Sequence, residues 1–271
     1  MNILITGGTG FLGHGLVERL LAEGHERIRV YSRGEYAQHL MRERFPQEEL
    51  GFFVGDVRDL VRLERAMQGM ELVIHAAALK RIEVGHYQPD EMVKTNINGT
   101  MNVIEAARNA GVRRVVFVSS DKAFEPISPY GYSKAMAESL CFAANAWKTG
   151  PQFAVCRYGN VAGSTGSVIP RWREAGRAVI TDPDCTRFWM TIDEAVSLVL
   201  NATMSSVYEK IWVPVLPAFR VGDLAEAMGL ESVVLGLGPW EKKHEKMDAL
   251  NCSETARRMT VGELKGALDN V

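Results

Sequence analysis

The sequence has little cysteine, no long apolar run and no excess of positive charge. Its four cysteines, Cys141, Cys156, Cys185 and Cys252, include no Cys-x-x-Cys pair, so we expect neither a zinc site nor a disulfide framework. No segment approaches the ~18 apolar residues that a membrane-spanning helix needs, and the chain opens on the strand-like segment 2–6 instead of a signal sequence. We therefore expect a protein of the reducing cytoplasm, neither secreted nor inserted in a membrane.

Charge and composition narrow the class further. Lys and Arg number 31 and Asp and Glu 33, a formal net charge of −2, which offers no surplus of cations for a phosphate backbone. We expect no nucleic-acid partner. Hydrophobic residues make up 46% and charged residues 24% of the 271 positions, as in soluble globular proteins. The length suits one large domain, or one domain with a small appendage.

Short apolar runs alternate with segments of helical periodicity. The runs predict six strands, at Ile3–Ile5, Ile28–Tyr31, Gly51–Val54, Leu72–His75, Val115–Val118 and Phe153–Cys156. Between them, apolar residues recur three and four apart in Leu12–Ala22, Leu60–Met67 and Asn96–Ala110. This alternation predicts an α/β fold with a doubly wound parallel sheet of the Rossmann type, which binds ligands at the carboxyl ends of its strands.

The alternation weakens after Gly159, where loop-like stretches such as 163–167 and 181–184 appear. We therefore predict a dinucleotide-binding domain over residues 1–160 and a smaller C-terminal substrate-binding lobe over 161–271. A strand and a helix of the second part can return to the first. No long linker or internal repeat separates the two, so we expect them to pack closely.

A glycine-rich loop follows the first strand and opens the first helix. It reads Thr6-Gly7-Gly8-Thr9-Gly10-Phe11-Leu12-Gly13. Glycine lets the backbone turn tightly and approach a pyrophosphate, whose charge the helix N-terminus stabilises. In this context the loop predicts dinucleotide binding, whereas a glycine-rich turn without a ligand is the alternative. The predicted cofactor contacts are Gly7, Thr9, Gly10, Phe11, Leu12 and Gly13.

The end of the second strand bears on which dinucleotide binds. It reads Tyr31-Ser32-Arg33 and carries no carboxylate for the ribose of NAD. A guanidinium beside a hydroxyl suits the 2′-phosphate of NADP, so Ser32 and Arg33 predict NADP, with NAD and an ordinary surface arginine as the alternatives. Asp56 and Val57, after the third strand, are predicted to meet the adenine.

The segment after the fifth strand carries a group of reactive side chains. It contains Ser119-Ser120-Asp121-Lys122-Ala123 and then Tyr130-Gly131-Tyr132-Ser133-Lys134 at a helix start. Tyr130 and Lys134 are four apart and share a helix face. Tyr130 is therefore the candidate base, and its pKa of ~10 must be lowered by a nearby ammonium and an oxidised nicotinamide. The alternative for both is an ordinary surface helix.

Together these motifs resemble the extended short-chain dehydrogenases, and more narrowly the inverting UDP-N-acetylglucosamine 4,6-dehydratases of bacterial polysaccharide synthesis. The resemblance covers nearly all of residues 1–220. Besides the glycine loop and the Tyr130/Lys134 pair, it rests on Ala76-Ala77-Ala78-Leu79-Lys80, Asn96, Ser120-Asp121-Lys122-Ala123, Arg157-Tyr158-Gly159-Asn160-Val161, Gly166-Ser167-Val168-Ile169-Pro170 and Thr186-Arg187-Phe188-Trp189.

The resemblance implies a reaction and roles for residues. Tyr130 takes the proton of the hydroxyl on carbon 4, Asp121 acts as the acid and Lys122 as the base of water elimination across carbons 5 and 6. The base role needs a lowered pKa, which burial beside Lys134 would favour and Asp121 would oppose. Further cofactor contacts are implied at Ala76, Ala77, Ala78, Lys80, Asn96 and Ser119. The implied substrate contacts, with UDP-N-acetylglucosamine as the partner, are Lys80, Asp121, Lys122, Asn160, Ser167, Val168, Ile169, Arg187 and Glu241.

The C-terminal third departs from the family. Relatives carry Arg-Pro-Gly-Glu-Lys with an arginine that clamps the diphosphate, whereas this chain reads Gly238-Pro239-Trp240-Glu241-Lys242 and ends sooner, at Val271. The nucleotide and the sugar are therefore open. A nucleotide-sugar 4-epimerase, using Tyr130 and Lys134 alone, and a non-catalytic dinucleotide sensor are the alternatives to a dehydratase.

Helices at 96–110 and 130–147, apolar on more than one face, predict a homo-oligomer.

Overall fold

The computed structural model describes residues 1–147, 149–204 and 210–271. Its strands are β1 Asn2–Thr6, β2 Arg27–Ser32, β3 Leu50–Val54, β4 Leu72–His75, β5 Arg114–Val118, β6 Gln152–Cys156, β7 Ala178–Ile180, β8 Thr186–Phe188, β9 Ile211–Trp212, β10 Ala218–Arg220 and β11 Ser232–Val234. Its α-helices are α1 Phe11–Ala22, α2 Glu35–Arg44, α3 Leu60–Met67, α4 Ile82–Tyr87, α5 Pro89–Met92, α6 Gly99–Asn109, α7 Pro129–Asn145, α8 Val168–Ala175, α9 Ile192–Met204, α10 Val221–Ala227 and α11 Val261–Leu268.

Seven strands form one parallel sheet in the order β3-β2-β1-β4-β5-β6-β9. All six predicted strands lie within β1 to β6, so the predicted doubly wound Rossmann fold is confirmed. The seventh strand, β9, comes from the C-terminal part and pairs with β6. Helix α9 also returns, packing against α1, β5 and β6. The proposed division at residue 160 therefore leaves a strand and a helix of the second part within the first.

Helices cover both faces of the sheet, because apolar side chains point alternately to one face and to the other along each strand. Leu4, Val73 and Val115 pack on one side with residues of α3, α6 and α7. Ile3 and Ile5 point to the other side, against residues of α1 and α9. These side chains are almost fully buried, and each such burial contributes about 1.5–3 kcal/mol. The near-continuous apolar runs in the sequence follow from this two-sided burial.

The C-terminal part builds a smaller lobe with its own core. Here β8 pairs antiparallel with β10, and β7 pairs parallel with β11. Ile169 and Trp172 of α8, Phe219 of β10, Leu224 of α10 and Leu264 of α11 belong to one buried cluster. This core fixes α8, whose N-terminus faces the carboxyl edge of the large sheet.

Two local departures from ideal helices lie close to that edge. A π-helical turn, Val93–Asn98, precedes α6, and a 3₁₀ turn, Asp121–Ala123, follows β5. The predicted helix over 96–110 therefore begins within the π-helical turn. Over the described part of the chain, no helix combines the length and apolarity needed to cross a bilayer.

Candidate active site

A cavity of about 1220 Å³ lies at the carboxyl ends of the strands, between the large sheet and the smaller lobe. Most of the predicted cofactor and substrate residues line it. Four do not, namely Asn96, Asp121, Arg187 and Glu241. Asp121 is buried, but its neighbours in the chain, Ser120 and Lys122, both line the cavity.

The glycine loop fits the backbone approach that a dinucleotide requires. Gly7 has φ +69°, and a Cβ there would lie 2.8 Å from the backbone of Ala77, so only glycine allows the loop this close to the end of β4. Over the described residues, no side chain caps the N-terminus of α1, where Gly10 is the N-cap residue. Its first amides therefore stay available for an anion. The loop and the cavity form a site that suits a nicotinamide dinucleotide.

The adenosine end of the cavity contains Ser32, Arg33 and Asp56. Ser32 is buried and its hydroxyl accepts a hydrogen bond from Gln38 (3.0 Å). Asp56 is held by Arg58, whose Nη2 lies 2.7 Å from its carboxylate. Burial raises the pKa of Asp56, but the hydrogen bonds and the charge of Arg58 lower it by more. The pKa of Asp56 is therefore below its ordinary value. Arg33 lies on the cavity wall, and the choice of NADP over NAD stays a prediction.

Polar side chains fix the end of β4. The Thr6 hydroxyl lies 2.7 Å from Nδ1 of His75, whose Nε2 lies 3.1 Å from the Thr100 hydroxyl. Burial and the charge of Lys134 lower the pKa of His75 to about 3, so the imidazole is neutral. Sequence reasoning missed this buried histidine, because one histidine in an apolar run carries no motif.

Asn96 holds the loop after β4 in place. Its amide accepts from the Leu79 amide (2.8 Å) and donates to the Leu79 carbonyl (2.9 Å) and the Ser133 hydroxyl (2.9 Å). The side chain is buried away from the cavity. Asn96 thus joins the π-helical turn to α7 and to the segment that carries Lys80. A direct contact of Asn96 with a cofactor stays a prediction.

Helix α7 brings Tyr130 and Lys134 to the cavity wall. Ser128 caps the helix by accepting from the Gly131 amide (3.1 Å), and Pro129 occupies its first turn. Lys134 donates from Nζ to the Val118 carbonyl (2.6 Å) and lies 4.2 Å from the centre of the Phe117 ring. Burial lowers the pKa of Lys134 to about 8, although Glu138 and Cys141 oppose the shift.

The pKa of Tyr130 moves upward in the protein. Burial raises it, a hydrogen bond with Ser120 and the charge of Lys122 lower it, and Asp121 raises it. As far as the protein's own groups are concerned, the prediction that the pKa of Tyr130 is lowered is therefore wrong. Burial raises this pKa by more than the charge of the nearby cation lowers it. That cation is Lys122, whereas Lys134 is occupied by the Val118 carbonyl.

Asp121 and Lys122 form the 3₁₀ turn that packs against the start of α7. A Cβ on Gly131 would lie 2.4 Å from the Lys122 carbonyl, so glycine there lets the turn and the helix touch. Asp121 Oδ1 accepts from the Ser120 hydroxyl (2.9 Å) and from Lys122 Nζ (3.1 Å). Burial raises the pKa of Asp121 in spite of the Lys122 charge, which favours the protonated acid.

A second carboxylate, which sequence reasoning missed, contacts Lys122. Glu245 Oε1 lies 3.1 Å from Lys122 Nζ, and its side chain is only 3% exposed. Burial lowers the pKa of Lys122, but Asp121 and Glu245 raise it by more. The lowering that was expected for a Lys122 base is therefore wrong in this structure.

A buried ion pair ties the segment that carries Glu245 to the large sheet. Arg157 donates from Nε (3.0 Å) and Nη2 (2.5 Å) to Glu138 of α7 and from Nη1 to the Met247 carbonyl. Glu138 also accepts from the Ser119 hydroxyl. The Arg-Tyr-Gly-Asn motif could have indicated that Arg157 matters, but nothing in the sequence identified Glu138 as its partner.

Cationic and acidic side chains both line the substrate half of the cavity, and the acidic ones are Glu83 and Glu174. Asn160, Ser167, Val168 and Ile169 line it, together with Lys80, Arg81 and Arg171. Arg187 and Glu241 instead pair with each other: Arg187 Nη2 lies 2.7 Å from Glu241 Oε1, and Arg187 Nη1 donates to the Lys243 carbonyl (3.1 Å). Substrate contacts by these two residues stay predictions.

The fold and the place of Tyr130 and Lys134 at the sheet edge are those of the short-chain dehydrogenases. The chain belongs to the family described as polysaccharide biosynthesis protein, which matches residues 3–263. It is 40% identical to a UDP-N-acetylglucosamine 4,6-dehydratase (inverting) of Campylobacter jejuni, over 91% of this chain and 77% of that one.

Two further similarities bear on the reaction and the fold. The chain is 39% identical to a UDP-glucose 4-epimerase of Rickettsia rickettsii, over 84% of this chain and 70% of the relative. Among solved structures it is similar to Pen from Bacillus thuringiensis, with a TM-score of 0.93 and 32% identity, covering 100% of this chain and 98% of that one.

Proposed function

We propose that this protein is an NADP-dependent nucleotide-sugar 4,6-dehydratase that acts on UDP-N-acetylglucosamine with inversion at carbon 5. The observation that carries the proposal is the hydrogen bond between Asp121 and Lys122, because Lys122 lines the same cavity wall as Tyr130. An elimination needs an acid and a base in addition to the tyrosine, whereas oxidation and reduction at carbon 4 need only the tyrosine. The similarity to the inverting dehydratase of Campylobacter jejuni supports the proposal.

The residues present fit a dinucleotide. The backbone of the glycine loop and the N-terminus of α1 would hold the pyrophosphate, and Ala76, Ala77 and Ala78 lie along the same cavity. Arg33 supports NADP over NAD, because its guanidinium offers forked donors to a 2′-phosphate. A bound nicotinamide supplies a reversible hydride acceptor.

The chain's own residues move the protons. Tyr130 accepts the proton of the carbon-4 hydroxyl as that carbon is oxidised, which makes the hydrogen on carbon 5 acidic. Lys122 Nζ first passes one proton to Asp121 Oδ1 across their 3.1 Å hydrogen bond, which leaves a neutral amine beside a protonated acid. The amine then takes the hydrogen of carbon 5 as a proton, and the electron pair of that C–H bond forms the double bond between carbons 5 and 6. Asp121 donates a proton to the departing oxygen of carbon 6, so water leaves. The Ser120 hydrogen bond and the charge of Lys122 favour the Tyr130 phenolate, and the Lys134 ammonium would hold the cofactor ribose.

Two arginines take the place of the family's diphosphate clamp in this proposal. Gly238 lies off the cavity, and Arg187 is already paired with Glu241. Arg81 and Arg171 do line the cavity, near the N-terminus of α8. Forked guanidinium donors suit a diphosphate, and the free amides of a helix N-terminus add to its binding.

Replacement of Asp121 by Asn tests the dehydratase. The amide keeps the shape of the carboxyl but cannot donate the proton, so we expect water elimination to fall by about 10²–10⁴-fold. Purified protein is incubated with UDP-, GDP- and dTDP-sugars, and mass spectrometry detects the loss of one water. Asp182→Asn, at a position off the cavity, is the matched control and should leave the rate unchanged.

The second candidate is a nucleotide-sugar 4-epimerase, which the similarity to the Rickettsia enzyme favours. It would use Tyr130 and Lys134 without the Asp121 acid. A wild-type protein that interconverts 4-epimers without releasing water would establish this candidate, and Asp121→Asn should then have little effect. A protein that binds NADP but changes no nucleotide sugar would be a sensor.

The helix faces support the predicted homo-oligomer, a dimer or a larger assembly. Met101 of α6 and Tyr132 and Met136 of α7 are about half exposed, and a two-fold contact would bury them. A monomeric mass by light scattering would contradict this assembly.

All four cysteines are unpaired thiols, which supports a reducing compartment, and we propose the cytoplasm.

A further inference from the structure

Lys122 lies between two buried carboxylates that come from distant parts of the chain. Its Nζ is 3.1 Å from Asp121 Oδ1 on one side and 3.1 Å from Glu245 Oε1 on the other. The carboxylates are nearly inaccessible to solvent, with 1% and 3% of their side chains exposed. Asp121 belongs to the 3₁₀ turn after β5, whereas Glu245 belongs to the segment that follows β11. The Lys122 ammonium is therefore paired with one carboxylate on each side.

Both carboxylates have one oxygen without a partner among the described residues. Asp121 Oδ2 and Glu245 Oε2 are buried and accept no hydrogen bond, and Lys242 Nζ lies 3.9 Å from Glu245 Oε2, beyond hydrogen-bond distance. Buried oxygens without donors are costly. A cluster kept in this state is typical of a functional site rather than of a stabilising ion pair.

The segment that carries Glu245 is fixed by contacts on both sides of that residue. Lys242 donates to the Phe124 carbonyl (2.5 Å), and the Met247 carbonyl accepts from buried Arg157. The backbone amide of Glu245 donates to the Ser253 hydroxyl (2.9 Å). Glu245 is therefore oriented toward Lys122 by the fold and is not a free surface side chain.

We propose that Glu245 is a positioning residue for the elimination: it holds the Lys122 ammonium beside Asp121 and sets the pH range over which Lys122 exchanges its proton. This inference rests on the proposed dehydratase function. The charged and titratable groups that face Lys122 are Asp121, Glu245, Tyr130, Arg187 and Lys242. Among them only Asp121 and Glu245 are carboxylates, so removal of Glu245 leaves a single counter-charge.

Glu245→Gln tests the proposal through a titration and not through rate alone. Lys122 is followed by NMR of the protein labelled with ¹³C at lysine Cε, with the Lys122 signal assigned by its loss in Lys122→Met. Loss of one opposite charge at this distance should move the titration midpoint of Lys122 down by about one to three pH units. The pH profile of solvent deuterium entry at carbon 5 should move in the same direction.

Three further variants separate charge from shape. Glu125→Gln removes the same charge from an exposed pair with Lys246 on the neighbouring surface (3.0 Å) and should leave the Lys122 midpoint unchanged. Glu245→Asp keeps the charge and should restore the wild-type profile. Lys242→Met removes the cation beside Glu245, so the Lys122 midpoint should move upward, and this variant tests the cluster if Glu245→Gln does not fold.

The outcomes distinguish this inference from the function on which it rests. If wild-type protein releases no water but Glu245→Gln lowers the Lys122 midpoint, the dehydratase proposal fails and the role of Glu245 in holding Lys122 stands. If wild-type protein is active and neither Glu245→Gln nor Lys242→Met moves the midpoint or the profile, the inference is overturned.

Discussion

Replacement of Lys134 by Met should make the protein more stable at neutral pH while it abolishes activity. The side chain is 3% exposed, and burial lowers its pKa from 10.5 to about 8. Because each pKa unit corresponds to about 1.4 kcal/mol, keeping this ammonium charged costs the folded state about 3 kcal/mol at pH 7. Met fills a similar volume without a charge.

The expected net gain is smaller than this electrostatic cost. Met cannot donate to the Val118 carbonyl, and the loss of that hydrogen bond lowers the free energy of unfolding by about 1 kcal/mol. We therefore expect the free energy of unfolding to rise by about 2 kcal/mol at pH 7. Such a gain is the usual sign of a residue that is kept for activity at the expense of stability.

The pH dependence gives the sharper test. In the unfolded chain Lys134 stays protonated up to a pH near 10.5, whereas in the folded protein it loses its proton near pH 8. The unfolded state therefore binds more protons between these values, and wild-type stability rises with pH relative to the variant. The advantage of the Met variant should be complete below pH 8 and should disappear by pH 10.

Urea unfolding followed by tryptophan fluorescence at pH 7, 9 and 10 measures this difference. Lys265→Met, at an exposed position of α11, is the control and should show no pH-dependent difference from wild type. If Lys134→Met is less stable than wild type at pH 7, or if its difference from wild type does not change with pH, the assigned electrostatic cost is wrong.

Two further changes probe the buried ion pair and the cofactor. Arg157→Leu leaves Glu138 buried without its cation, so urea unfolding should show a loss of about 3–5 kcal/mol. Arg113→Leu, which breaks an exposed pair with Glu71, should lower the free energy of unfolding by less than about 1 kcal/mol. Equal losses in the two variants would contradict the prediction that the buried pair contributes more to stability. Arg33→Ala should weaken NADP binding about tenfold or more and NAD binding little, as measured by calorimetry. An equal loss of affinity for both dinucleotides would remove the argument for NADP.

The sheet was predictable from sequence because its strands are apolar on both faces and short. Each predicted strand lies within a strand of the structure, and Leu60–Met67 matches α3 at both ends. The glycine loop, Tyr130 and Lys134 were also predictable, since their spacing is local and has a physical reason. The small strands β7 to β11 were not, because two or three residues give no usable periodicity.

The electrostatics of the site were the least predictable part. Glu245 lies far from Lys122 along the chain, and one glutamate in a charged segment looks like any solvated residue. The pairing of Arg187 with Glu241 is hidden for the same reason, although both were singled out separately. Burial is also invisible to local patterns, so the upward pKa shifts of Tyr130 and Lys122 needed three-dimensional packing to be seen.

The distance along the chain between Lys122 and Glu245 also affects biosynthesis. A nascent polypeptide that has left the ribosome only as far as β6 already contains the glycine loop, Tyr130 and Lys134. It lacks Glu245, and it lacks β9 at the edge of the sheet. Translation must therefore be nearly complete before the ammonium of Lys122 gains its second counter-charge, so the finished site forms only after the last quarter of the chain has folded back.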